Sequence, residues 1–200
     1  VAALTYQDGL NQNEQNLPSE TLVQIKGAFI NLILPDKFWQ NLLEQINLIG
    51  DEYGKNNLWL QEKINLEFVS ANPTGPMHIG HARSAVVGDV LANLLEYCNF
   101  DVTKEYYIND AGGQVDVLTE SLWIRYLQIL GHDAELKDGC YPGEYLIETA
   151  KELYAKFGDP LLNFPEEKRN AEIKEFAIQA MLNLIKKDLN TLGVFHDVFV

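Results

Sequence analysis

The sequence predicts an α/β fold built on a parallel sheet. Two observations carry this. An apolar strand pattern at residues 64–70 is followed by a long run of helical periodicity and then by a second strand pattern at 102–108. A further helical pattern follows that second strand, so strand, helical crossover and strand read as a βαβ unit.

The elements follow in order. Residues 1–20 carry Gln7, Asn11, Gln12, Asn13, Gln15 and Asn16 and read as a polar loop or linker. Residues 22–34, LVQIKGAFINLIL, mix alternation with an apolar run and read as one strand, or as two broken near Gly27. Pro35 and Asp36 start a helix to about Asn47. A polar connector at 50–63 marks a domain boundary. The strand at 64–70 places apolar residues at 64, 66, 68 and 69. Pro73, Gly75 and Pro76 make 71–77 a loop. From His78, the residues Val86, Val87, Val90, Leu91, Leu94 and Leu95 recur at helical spacing up to Tyr97. After the strand at 102–108, a helix over about 112–130 places Val115, Leu118, Leu122 and Leu127 on one side. A Gly- and Asp-rich loop at 131–145 leads to helices at about 143–157 and 166–192, the second introduced by Pro165. The tail, GVFHDVFV, reads as the start of another strand. A start at Val1 rather than Met, and an end inside a strand pattern, give the expectation of a piece of a longer protein. There is no internal repeat.

Hydrophobic residues make up 46% and charged residues 22%, a globular balance. The net charge of -14, with 15 basic against 29 acidic residues, leaves little for a long phosphate-tracking surface. It does not exclude a local basic face. Cys98 and Cys140 lie far apart without a CxxC spacing and read as reduced thiols of a cytosolic protein. No apolar run reaches the ~18 residues of a membrane span, and no signal-peptide pattern opens the chain. The expected location is the cytoplasm, with no membrane contact.

The chemistry concentrates at His78-Ile79-Gly80-His81, a helix start after a strand and a short loop. A helix N-terminus offers unpaired N–H groups and positive partial charge, a seat for a phosphate chain. Histidines three apart share one face of the first turn and can both donate to phosphate oxygens. Gly80 lets a base or ribose approach the backbone closely. Such a site suits ATP, with catalysis by positioning and electrostatics rather than a protein nucleophile. The HxGH string alone arises in roughly one chain per hundred of this length. Two histidines at a helix cap therefore remain an equal reading of it. A zinc site lacks an obvious third ligand, so no metal ligand is assigned.

The longer context is specific. The segment Glu67–Arg83, EFVSANPTGPMHIGHAR, closely resembles the signature region of bacterial arginyl-tRNA synthetases. So do SAVVGDVLANLLEY after it, DVTKEYYINDAGGQ at 101–114 and the stretch at 176–200. Residues 23–47 resemble the end of the family's N-terminal additional domain more weakly. The resemblance implies a class I aminoacyl-tRNA synthetase with a Rossmann-type core. In this reading 1–50 is the end of a small α/β N-terminal domain. Residues 51–200 are the first part of the catalytic domain, with a helical insertion at about 131–190. Arginine's carboxylate would attack the α-phosphorus of ATP, and the terminal adenosine of tRNA(Arg) would then accept the arginyl group. Members of the family generally need the cognate tRNA for the first step. The implied partners are tRNA(Arg), L-arginine and ATP with Mg2+. No tightly bound cofactor is expected, and the full-length enzyme would be a monomer.

Carried onto this sequence, His78 and His81 match the HIGH histidines that meet ATP phosphates and transition-state charge, and Gly80 matches the glycine under the adenosine. Ser70, Ala71 and Asn72 match the segment that touches arginine, with His81 also within its reach. Asn72 can both donate and accept, which suits the α-amino or carboxylate end. Turn capping remains an alternative for Ser70 and Asn72. Asn109 and Asp110 follow the second strand, and strand ends face the ligand crevice of open α/β sheets. Asp110 and Gln114, four apart, can share a helix face, while Asp110 also suits an N-cap. Arg83 has the reach for phosphate or for a structural ion pair. Lys63, Lys104, Lys186 and Lys187 read as solvated. The carboxylate expected for the guanidinium, the KMSKS loop and the anticodon-reading domain match nothing here, so these 200 residues alone are expected to be inactive. Two rival readings remain: an HxGH-type nucleotidylyltransferase, which the ANPTGP loop and YINDAG stretch oppose, and a non-catalytic synthetase-like fragment.

Overall fold

A computed structural model describes residues 18–56 and 61–200. The polar readings at 1–17 and 57–60 fall outside the described residues. Chain contacts separate two compact units, the first ending at Lys55 and the second running Asn56–Val200.

In the first unit, β1 (Leu22–Lys26) and β2 (Phe29–Ile33) pair antiparallel, with Lys26 opposite Phe29. The two-strand reading of this stretch is the observed one. The two-residue loop has positive φ at Gly27 alone (62°), the pattern of a type II′ turn. Helix α1 (Asp36–Ile49) begins after Pro35 and ends at Gly50, whose φ of 61° halts the helical path.

In the second unit, β3 (Lys63–Glu67), β4 (Asp101–Tyr106) and β5 (Val198–Phe199) form a parallel sheet in the order β3-β4-β5. Lys63 aligns with Asp101 and Glu67 with Glu105, and Glu105 aligns with Val198. Helix α2 (Ile79–Tyr97) is the crossover from β3 to β4. The α/β, Rossmann-type expectation and the final strand are therefore what the chain forms. Both early strands stop short of the predicted ends, at Glu67 rather than Ser70 and at Tyr106 rather than Ile108. The first shortfall has a local cause: Val69 and Ser70 have φ of 70° and 41°, outside extended geometry.

Helix α2 packs through its small residues. Ala85, Gly88 and Ala92 are buried, whereas Val86, Val87, Val90, Leu91 and Leu94 are exposed. The large aliphatics that revealed the helix are thus not the face it buries on the sheet. Phe68, Ala85 and Tyr106 join Ile185, Leu189 and Val194 in the sheet-side core.

Helices α3 (Gly113–Ile129), α4 (Tyr145–Phe157) and α5 (Glu166–Thr191) form a second core around Leu118, Leu122, Tyr126, Leu153 and Met181. Helix α5 has 26 residues, about 39 Å of rise, and serves both cores: Ile173 and Met181 in the helical one, Ile185 and Leu189 against the sheet. One cation departs from expectation. Lys104 is not solvated: its side chain is 14% exposed, 3.4 Å from Glu96 and 3.9 Å from Asp89 on α2. Lys186 lies over the Phe199 ring at 4.1 Å. Among the described residues, no helix is long and apolar enough to cross a membrane.

Candidate active site

The site begins where β3 ends. The Ser70 amide donates to the Phe68 carbonyl at 3.1 Å, closing a γ-turn around Val69. A positive φ is unfavourable for a β-branched residue, so this turn stores strain of about 1–3 kcal/mol that its surroundings must offset. Two contacts from the β4 end do so. Ser70 Oγ accepts the Tyr107 amide at 3.0 Å, and the buried Tyr106 hydroxyl donates to the Ala71 carbonyl at 2.7 Å. Burial pushes the Tyr106 hydroxyl up to about 12, so it stays a phenol and a donor.

Ser70 therefore uses its hydroxyl to join the two strand ends, and Ala71 is buried with its carbonyl engaged. Asn72 is exposed. Its Nδ2 donates to Gln114 Oε1 at 2.6 Å, while its carbonyl accepts the Thr74 amide at 2.8 Å around the buried Pro73. Proline's fixed φ suits this second γ-turn.

The loop delivers His78 as the N-cap of α2. His78 Nδ1 accepts the Gly80 amide at 3.1 Å, and His81 Nδ1 accepts the His78 amide at 3.4 Å. The rings stack with centroids 3.7 Å apart and planes 18° from parallel. The capping and ligand readings are compatible. With Nδ1 accepting, the proton of each neutral ring sits on Nε2, which is left as a donor beside the helix N-terminus. Desolvation, and then the neighbouring His78, hold His81 below the ordinary histidine value. A Cβ at Gly80 would lie 3.0 Å from His78 Cε1, so this glycine leaves room for the capping ring.

Asp110 does not share a helix face with Gln114, nor does it cap the helix. Helix α3 starts at Gly113, its N-cap is Gly112 with φ 95°, and Asp110 lies in the exposed loop before it. Gly112 takes the cap because its conformation is open to glycine and disfavoured for aspartate. Gln114 meets Asn72 instead. Asn109 is exposed at the same strand end, and Arg83 is exposed with no ion pair among the described residues. Sequence reasoning passed over Tyr106, whose hydroxyl holds Ala71, because an aromatic in a strand pattern reads as core. It also passed over Glu67, an exposed carboxylate at the C-terminal end of β3. Its place at a strand end was the available signal. Among the described residues, no three His, Cys, Asp or Glu side chains gather as a metal site.

The site has two parts: a polar loop fixed to the end of a parallel sheet, and a helix N-terminus presenting two imidazoles. Comparison with known proteins adds a context. The family described as tRNA synthetases class I (R), catalytic domain, matches residues 42–141. An arginine–tRNA ligase of Anaplasma marginale is 53% identical over 172 residues, covering 86% of this chain and 29% of that protein. One from Brucella ovis is 44% identical over 211 aligned residues, covering 99% of this chain and 36% of that protein. A solved Campylobacter jejuni structure, assigned as an arginyl-tRNA synthetase, superposes with a TM-score of 0.69 at 38% identity, over 84% of this chain and 36% of that one. The chain thus spans about a third of the length of the curated relatives it matches.

Proposed function

The chain belongs to the class I tRNA synthetase (R) family, and from that premise we propose that it forms the ATP- and arginine-holding part of an arginine–tRNA ligase. The observation that carries this reading is the pair of capping histidines. Each satisfies a backbone N–H of the α2 terminus through Nδ1, which leaves two Nε2–H donors at the positive end of a 19-residue helix.

In this reading His78 and His81 bind ATP phosphates, and Gly80 leaves the backbone clear for the adenosine. Ser70, Ala71 and Asn72 hold arginine, with His81 at its carboxylate end and Gln114 orienting Asn72. Asp110 flanks the same crevice. The arginine carboxylate oxygen bonds to the α-phosphorus as the bond to pyrophosphate breaks. The imidazole donors stabilise the charge that gathers on the phosphoryl oxygens. The terminal ribose hydroxyl of tRNA(Arg) then attacks the arginyl carbonyl, and AMP leaves. ATP enters as its magnesium complex, the metal carried by the phosphates. The working protein is a cytoplasmic monomer.

Arginine-dependent ATP–pyrophosphate exchange, with and without tRNA, tests the reading in the full protein carrying this chain. His81→Ala should lower exchange by about 10²-fold. Unchanged exchange in that variant, or exchange indifferent to arginine, removes the assignment.

A further inference from the structure

The loop between Asn72 and His78 cannot hold itself. Pro73 and Pro76 contribute no N–H, so little backbone bonding is available within it. It is held from outside the sheet, at two points.

Tyr145, the first residue of α4, donates its hydroxyl to the Thr74 carbonyl at 2.9 Å in a partly buried setting. Burial, and then the neighbouring Tyr141, raise the Tyr145 hydroxyl above the ordinary tyrosine range, so it remains a donor at neutral pH. Two glycines clear the space for its ring. A Cβ at Gly75 would come within 2.9 Å of Tyr145 Oη, and one at Gly143 would collide with the ring carbons. At the other end of the loop, Asp188 Oδ2 accepts the Met77 amide at 3.2 Å across 111 residues of sequence. Met77 directly precedes the capping His78. Asp188 is itself fixed, since Ile185 and Leu189 on either side of it in α5 are buried against the sheet.

We propose that Tyr145 and Asp188 are positioning residues for the His78–His81 turn: helices α4 and α5 clamp the loop so that both imidazoles meet the ATP phosphates in one geometry. This rests on the phosphate-binding reading of that turn. Neither residue touches substrate; both act through the backbone of the loop. A displacement of about 1 Å at such a turn is enough to cost a large rate factor.

The test is steady-state exchange by the full protein for Tyr145→Phe, Asp188→Ala and Asp188→Asn, with active sites counted so that only folded enzyme is compared. The expected result is a fall in kcat/KM for ATP of about tenfold or more in Asp188→Ala and about threefold or more in Tyr145→Phe, with a smaller rise in KM for arginine, which meets only His81 of the pair. Asp188→Asn, which keeps an oxygen facing the Met77 amide, should recover most of the loss. A purely architectural role would lower the active fraction and leave kcat/KM for ATP per active site unmoved. Wild-type kcat/KM for ATP in Tyr145→Phe and Asp188→Ala overturns the proposal. If Asp188→Ala does not fold, Tyr145→Phe, which removes one oxygen, decides alone. His81→Ala run in parallel separates the two failures. If it too is wild type, the phosphate reading has failed; if it alone is impaired, only the positioning has.

Discussion

Gly88 of helix α2 lies so close to the ring of Phe68 that a Cβ at this position would fall 2.2 Å from the ring's Cγ. Phe68 is the residue from which the γ-turn springs, so the contact seats both the helix and the start of the site. Gly88→Ala would place its Cβ on Cγ and Cβ of Phe68, atoms near the backbone that have little freedom to move. Alanine's helix preference of about 1 kcal/mol works the other way. Overpacking costs about 1–3 kcal/mol, and this clash lies at the ring root, so net destabilisation is expected. Denaturant unfolding should show a lower midpoint, and an unchanged or raised midpoint would refute the packing argument.

Tyr106→Phe makes a complementary prediction. The hydroxyl is buried and donates to the Ala71 carbonyl, and the neighbouring Val69 sits at a strained positive φ. Removing one oxygen leaves a buried acceptor without that partner, at a cost of about 1–3 kcal/mol. Stability should fall by that order, and KM for arginine should rise because Ala71 and Asn72 lose their anchor. A variant equal to wild type in both would show that the turn is held by other means.

The site was only partly legible in the sequence. The helix at 79–97 announced itself through Val86, Val90 and Leu94, yet it buries Ala85, Gly88 and Ala92. Periodicity reports that a helix forms, but which face is buried depends on how closely its partner approaches. The strand at 64–70 was expected to reach Ser70 because its apolar residues, at 64, 66, 68 and 69, run on to Val69. Contacts with Tyr106 and Tyr107, nearly forty residues away, turn it instead. Lys104 looked solvated because its partners, Asp89 and Glu96, lie on a different element. Gln114 was singled out through its spacing from Asp110, whereas its hydrogen bond goes to Asn72, 42 positions earlier. Local pattern could place the two histidines on one face; long-range pairing is set by tertiary contacts that a single sequence does not display.

That last contact predicts a selective phenotype. Asn72 is exposed and hydrogen-bonds through its amide to Gln114, so the partner fixes which way the amide faces. Gln114→Ala should remove about 1 kcal/mol of orientation, a rise of about fivefold in KM for arginine, with KM for ATP nearly unchanged. Asn72→Ala should have the larger effect. Arginine titrations of the two single variants and the double variant check this. If the two losses simply add, the residues do not act as a unit.

The stacked histidines predict a pH dependence with a definite sign. His81 is held below its ordinary value of 6.5 by desolvation and then by His78, and His196 is lowered chiefly by its own burial. Both groups are protonated more readily in the unfolded chain than in the folded one. Their contribution to stability is therefore complete above the unfolded value, near 6.5, and is lost as pH falls through the lower folded values. The folded protein should melt at a lower temperature at pH 5.5 than at pH 7.5. Imidazole NMR should show both residues titrating below 6.5. His78→Ala sharpens the test, because it removes the ring stacked 3.7 Å away, centre to centre, which together with desolvation lowers His81. The His81 midpoint should then move upward, while that of His196, which packs on the Phe68 ring and is lowered chiefly by its own burial, stays in place. A His81 midpoint indifferent to His78 would mean that the two rings are not electrostatically coupled in solution, and the close stack would need another explanation.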